Sequence, residues 1–180
     1  MKRTNLQWNG ASHGYEPSTQ KPTSPVKSPK YRGNGDTIAG PQKPTCWIVD
    51  VDGTLALLNG RDPYETVALN DDVPNQPVIQ VVRALACHPD VDAIVVVSGR
   101  QEHSRKVTLD WLEDHGIPFN ELHMRPTGDN RPDQMIKEEI LDVQLLPRYE
   151  VVGVLDDRQK VVDMWRRNGL TCFQVAPGDF

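Results

Sequence analysis

At 180 residues, 37% of them hydrophobic, the chain is long enough for one folded domain of ordinary size, provided its apolar residues are concentrated in part of it. No apolar run approaches the roughly 18 residues that a membrane span needs, and the N-terminus lacks the apolar stretch of a secretory signal, so a soluble cytoplasmic protein is expected. The formal charge of −5 conceals two opposite halves: residues 1–44 hold seven Lys/Arg against Glu16 and Asp36, a formal +5, and the remainder holds 13 Lys/Arg against 23 Asp/Glu, a formal −10.

Residues 1–44 are rich in Pro, Gly, Ser, Thr and Lys and show no apolar period. Such a segment cannot bury enough surface to offset chain entropy, so a flexible basic arm is expected ahead of a folded body over 45–180. The body opens with CWIVDVD (46–52), followed by a helix over about 76–87, the strand DAIVVVS (92–98) and a helix over about 102–115. Then come ELHM (121–124), a helix over about 132–142, YEVVGVLD (149–156), a helix over about 158–168, and LTCFQV (170–175). Strands alternating with helices predict an α/β fold, a mainly parallel sheet covered by helices on both faces. Runs such as IVVV are apolar at every position, as strands buried on two sides require.

Ligand sites of such sheets collect beyond the carboxyl ends of the strands, and the chemistry-bearing residues fall there. In DVDGT (50–54), Asp50 and Asp52 are two apart, so on a strand both can face one pocket. Gly53 permits a sharp exit, and Thr54 can fasten the turn. Paired carboxylates repel, which separates their proton affinities and suits one as nucleophile and the other as acid and base. Asp156 and Asp157 end another apolar strand and offer hard oxygens suited to Mg2+, although either alone could cap a helix. In VVVSGR (95–100), the Ser98 hydroxyl and the Gly99 amide sit at a strand-to-helix junction, a phosphate cradle. Lys137 lies on a helix, where a lone lysine is usually a solvated charge. Asp133, four positions away on the same face, can orient it.

Arg61, Arg100, Arg125, Arg131 and Arg158 each lie in or beside one of these segments, and guanidinium forks suit phosphate oxygens as well as they suit surface carboxylates. Cys46, Cys87 and Cys172, odd in number and set among apolar residues, read as reduced core thiols. His103, His115 and His123 lack metal-ligand spacing. Trp165 reads as core, and Arg166 and Arg167 as an exposed helix face. The absence of a GxxxxGK(S/T) motif from the sequence excludes P-loop kinase chemistry here.

DVDGT, Ser98, Lys137 and Asp156-Asp157, in that order, resemble the haloacid dehalogenase-like phosphatases. With NGRDPY (59–64), GDNRPD followed by KEE (128–139), DDR (156–158), MWRR (164–167) and QVAPGDF (174–180), the body more particularly resembles the 3'-phosphatase domain of bacteriophage-type polynucleotide kinase-phosphatase. The resemblance implies a Rossmann-like three-layer α/β/α fold with a small cap or none. It implies Asp50 as nucleophile through an aspartyl-phosphate and Asp52 as general acid and base. Mg2+ would be held by the Asp50 carboxylate, the Asp52 carbonyl and Asp156, with Asp157 assisting directly or through water. Ser98, Gly99 and Lys137 would hold the phosphoryl oxygens, with Thr54 and the five arginines as further candidates for phosphate and substrate. The implied substrates are 3'-phosphates, and 2',3'-cyclic phosphates, of DNA or RNA ends. No protein partner is implied, and the kinase domain that precedes the phosphatase in bifunctional relatives has no counterpart in this sequence. Two alternatives stay open: a nucleotidase for small monophosphates with the same chemistry, and a receiver-like phospho-switch, which also uses an Asp acceptor, a Lys and an acidic metal pair.

Overall fold

The structure, a computed structural model, describes residues 42–57 and 71–178. The arm expected over 1–44 lies outside the described residues except for 42–44, and so do the NGRDPY segment with Arg61 and the last two residues. Five strands form one parallel sheet: β1 (Thr45–Val49), β4 (Ala93–Gln101), β5 (Glu121–Arg125), β6 (Glu150–Arg158) and β7 (Cys172–Gly178). Their order is β5-β4-β1-β6-β7, with every pairing parallel. A two-stranded antiparallel ribbon, β2 (Ala56–Leu57) with β3 (Val73–Pro74), stands apart from it.

The helices are α1 (Gln76–Ala86), α2 (Arg105–Asp114), α3 (Asp133–Ile140) and α4 (Gln159–Arg167). Their apolar faces decide which side of the sheet they cover. Ile79 and Val82 of α1 and Trp111 and Leu112 of α2 pack with Val49, Ile94, Val96 and Leu155. On the opposite face, Ile136 and Ile140 of α3 and Val161, Val162, Met164 and Trp165 of α4 pack with Ile48, Val95, Val97 and Val154. Neighbouring residues of one strand thus serve opposite cores, as a period of two dictates, and this explains strands that are apolar throughout. The result is the expected three-layer α/β/α arrangement.

Chain order reverses across β1: the path leads outward through β4 and β5, then returns to β6 on the other side of β1. The crevice at this switch point, beyond the carboxyl ends of β1 and β6, is where an open α/β sheet binds its ligand. Asp50 follows β1, and Asp156 and Asp157 lie near the end of β6.

Several boundaries differ from the sequence reading. β4 continues through Gly99 and Arg100 to Gln101, and a 3-10 turn over Glu102–Ser104 precedes α2, so Ser98 lies within the strand and not at its end. The first strand closes at Val49, and the ribbon β2–β3 is too short to show a periodic signal. α3 runs on into a π-helical turn over Leu141–Leu145. Cys46 and Cys172 are buried, where burial pushes each thiol up to about 12. Cys87 is exposed, contrary to its reading as a core thiol, because it caps the solvent-facing end of α1. Trp165 is fully buried and Arg166 and Arg167 are exposed, as read.

Candidate active site

The site begins with the tight loop after β1. The Val51 carbonyl accepts the amides of Leu55 (2.9 Å) and Ala56 (2.8 Å), and the Gly53 amide returns to the Ala56 carbonyl (2.8 Å). Asp50 and Asp52 therefore do not share the alternation of an extended strand, because the chain is already turning between them. Gly53 sits at φ +84°, and a Cβ there would lie 2.1 Å from an Asp157 carboxylate oxygen. Only glycine both adopts this turn and admits that carboxylate.

Lys137 is 1% exposed, although lysine is seldom buried unless paired. Its Nζ lies 2.6 Å from Asp50 Oδ1, 3.0 Å from Asp156 Oδ2 and 3.6 Å from Asp133 Oδ2. Burial alone would favour a neutral amine. The Asp156, Asp50 and Asp133 carboxylates overcome it and raise Lys137 well above the usual lysine range, so it is an ammonium. Asp50 is itself raised, by burial first and then by the Asp156 and Asp157 charges, with Lys137 acting against them. Burial, followed by the Asp156 charge, pushes Asp157 up to about 6. Thr54 Oγ1 donates to Asp157 Oδ1 at 3.4 Å, which gives Thr54 a carboxylate partner in the turn.

One oxygen from each of Asp50, Asp156 and Asp157 lies within 4.8 Å of the others. Three buried carboxylates, two of them paired with a single ammonium, form a hard, electron-rich donor set. It fits a small divalent cation, which would relieve the repulsion that raises Asp50 and Asp157.

Asp52 faces a different partner. Arg100 Nε and a second guanidinium nitrogen donate to its two carboxylate oxygens at 2.9 and 2.8 Å, a fork-on-fork pair. The same guanidinium reaches Asp72 Oδ2 at 2.7 Å and Thr108 Oγ1 at 3.4 Å, while the Trp111 indole donates to the Asp72 carbonyl at 3.1 Å. Arg100 is buried and occupied by protein carboxylates, and its amide donates to Ser98 Oγ at 3.1 Å.

Arg125 is also buried. It donates to the carbonyls of Gly99 (2.8 Å), Asp129 (3.1 Å) and Arg131 (2.5 Å) and to Asp133 Oδ1 (3.2 Å), tying the 126–132 loop to β4. A Cβ on Gly99 would lie 2.3 Å from Asp133 Oδ1, so this glycine is what lets α3 approach the strand. Asp133 in turn stands 3.7 Å from an Arg158 guanidinium nitrogen. Arg131 is exposed and paired with Asp129 (2.6 Å) and Glu139 (2.7 Å).

Asp50, Asp156, Asp157, Lys137, Asp133 and Thr54 are thus brought together directly. Asp52 joins them through the loop, and Arg131 stays outside. Sequence reasoning missed Asp72, Thr108 and Trp111, which complete the Arg100 cluster, and the contact of Trp165 with Asp156. Asp72 stands in a loop without a motif. Trp165 read as core, which it also is, and Trp111, which drew no reading, is core too.

The family model for the polynucleotide kinase PNKP phosphatase domain matches residues 44–180. A protein of Autographa californica nuclear polyhedrosis virus, provisionally named a bifunctional polynucleotide kinase/RNA ligase, is 35% identical over 131 residues, covering 71% of this chain and 18% of its own length. Among solved structures, a chain of a Pnkp1/Rnl/Hen1 complex is 41% identical with a TM-score of 0.74, covering 78% of this chain and 49% of the other. A chain of the Pnkp1/Rnl/Hen1 RNA repair complex is 40% identical with a TM-score of 0.73, covering 83% and 48%. The chain spans about a fifth of the viral relative and about half of each solved one.

Proposed function

The chain belongs to the polynucleotide kinase PNKP phosphatase domain family and is a phosphatase, and from that premise we propose that it removes 3'-phosphates from nucleic-acid ends, RNA ends among them. The observation that carries this reading is the buried Lys137 ammonium, 2.6 Å from Asp50 and 3.0 Å from Asp156, beside three carboxylates close enough to share a cation. The names of the relatives, a polynucleotide kinase/RNA ligase and members of RNA repair complexes, support a nucleic-acid end as substrate.

In this reading Asp50 attacks phosphorus while the bond to the 3' oxygen breaks, and Asp52 gives that oxygen its proton. Asp52 then takes a proton from water, which attacks the aspartyl-phosphate and frees Asp50 and inorganic phosphate. The Arg100 fork holds both Asp52 oxygens, fixing the carboxyl plane for the two transfers. Lys137 lies where an ammonium can offset charge on the phosphoryl oxygens, with Ser98 and the Gly99 amide as further donors. Asp50, Asp156 and Asp157, with the Asp52 carbonyl, would hold Mg2+, which when bound supplies positive charge beside the transferring group. Arg131 and Arg158, together with Arg61, are the arginines proposed for the substrate backbone. Arg100 and Arg125 serve protein groups.

Purified protein with Mg2+ is tested on matched 3'- and 5'-phosphorylated RNA and DNA oligonucleotides. Release of phosphate from the 3' ends is expected, and cleavage of 5'-phosphates alone would overturn the reading. A kcat/KM no higher for a 3'-phosphorylated oligomer than for a 3'-mononucleotide would identify a small-molecule nucleotidase instead. The same assay on 2',3'-cyclic ends decides whether they too are substrates.

A further inference from the structure

Asp156 is completely buried, and three donors converge on its carboxylate. Lys137 Nζ and Trp165 Nε1 each lie 3.0 Å from Oδ2, and the Arg158 amide lies 3.2 Å from Oδ1. A carboxylate has about four acceptor positions, two on each oxygen. Oδ2 is filled by the ammonium and the indole. Among the described residues, one position on Oδ1 remains.

We propose that Trp165 is a positioning residue of the cation site: its indole N–H locks the Asp156 carboxylate so that the remaining Oδ1 lone pair is presented to a divalent cation. An indole is a donor only, and a buried one is costly without an acceptor. Helix α4 meets that demand at Asp156 and so ties the packing of one core to the geometry of the cation site. Without the indole, Lys137 alone would hold Oδ2. Lys137 is shared with Asp50 and Asp133, so the carboxylate could then rotate toward it. Partners that orient a ligand from outside commonly change metal affinity by about 10- to 100-fold when removed.

The inference rests on the reading of Asp50, Asp156 and Asp157 as a cation site, and the test separates the two. Free Mn2+ is followed by electron paramagnetic resonance during titration of the full chain, at a temperature where every variant is folded. Trp165→Phe, which keeps an aromatic ring and removes the donor, is expected to weaken Mn2+ binding about tenfold. Raising Mg2+ by the same factor should restore its phosphatase rate. Val161→Ala is the packing control, because it thins the same core on the same helix without touching the carboxylate, and it should bind as wild type does. Equal affinity for Trp165→Phe and wild type would overturn the proposal, and so would an equal loss in Val161→Ala. If wild type and Asp156→Asn bind Mn2+ alike, the cation-site reading fails and the role of Trp165 falls with it.

Discussion

The two halves of the site draw on helices from opposite faces of one sheet and treat their carboxylates differently. On the α3/α4 side, Asp50 and Asp156 share a single ammonium, Lys137, and with Asp157 they leave negative charge in excess. On the α2 side, Asp52 and Asp72 share the Arg100 guanidinium, which grips Asp52 through two nitrogens. The first half has the donor set of a divalent-cation site. The second is complete within the protein and holds one carboxyl group in a fixed plane. In the proposed mechanism, a nucleophile that meets an anionic phosphate and a proton carrier that faces an ester oxygen need these different settings.

If the halves divide the work in this way, damage to each should be distinguishable. The largest effect belongs to Asp50→Asn, expected to lower kcat by about 10^4-fold or more, since removal of a covalent nucleophile leaves only binding and electrostatic help. Stopped assays on a 3'-phosphorylated oligonucleotide measure it, and circular dichroism should show an unchanged fold. Next is Arg100→Lys, which removes the fork while keeping the charge. It should lower kcat by about 10^2-fold at saturating Mg2+ and leave Mn2+ affinity as in wild type. A loss of Mn2+ affinity there would erase the distinction between the halves.

Gly53→Ala affects the loop that joins them. A left-handed φ is unfavourable for alanine by about 1–3 kcal/mol, and the Asp157 carboxylate must also move. Urea unfolding should report a loss of at least that size, accompanied by weaker Mn2+ binding. The smallest effect is expected far from the site, at Glu121, whose carboxylate accepts from Arg148, Tyr149 and His123. The Arg148 hydrogen bond, with those of Tyr149 and His123, holds Glu121 down to about 2. Since the folded value is below the unfolded one of about 4.3, its contribution is present above that pH and lost as pH falls through about 2. Thermal unfolding between pH 5 and 2 should therefore fall more steeply in wild type than in Glu121→Gln.

Much of the first half was legible in the sequence. Asp50 follows one apolar strand and Asp156 and Asp157 stand near the end of another, and the topology carries such residues to one crevice. Lys137 was legible only in combination with them, because nothing in a helical lysine reveals that it is buried. The second half was largely hidden. Arg100 resembled a phosphate ligand, and only the continuation of β4 past Ser98 turns its side chain toward Asp52. The ribbon β2–β3, whose second strand begins just after Asp72, has two-residue strands with no period to detect. The Asp156 contact of Trp165 was hidden for another reason: burial explains a tryptophan fully at the level of sequence, while the direction of its N–H depends on how α4 is seated.

The central claim is that Asp50 carries the phosphoryl group. Wild type and Asp50→Asn are mixed with an oligonucleotide labelled in its 3'-phosphate and quenched in acid within one turnover. Peptide mapping is expected to find the label on the Asp50 peptide in wild type and none there in Asp50→Asn. Phosphate release in that single turnover with no label ever found on Asp50, or with label on another residue, would contradict the account.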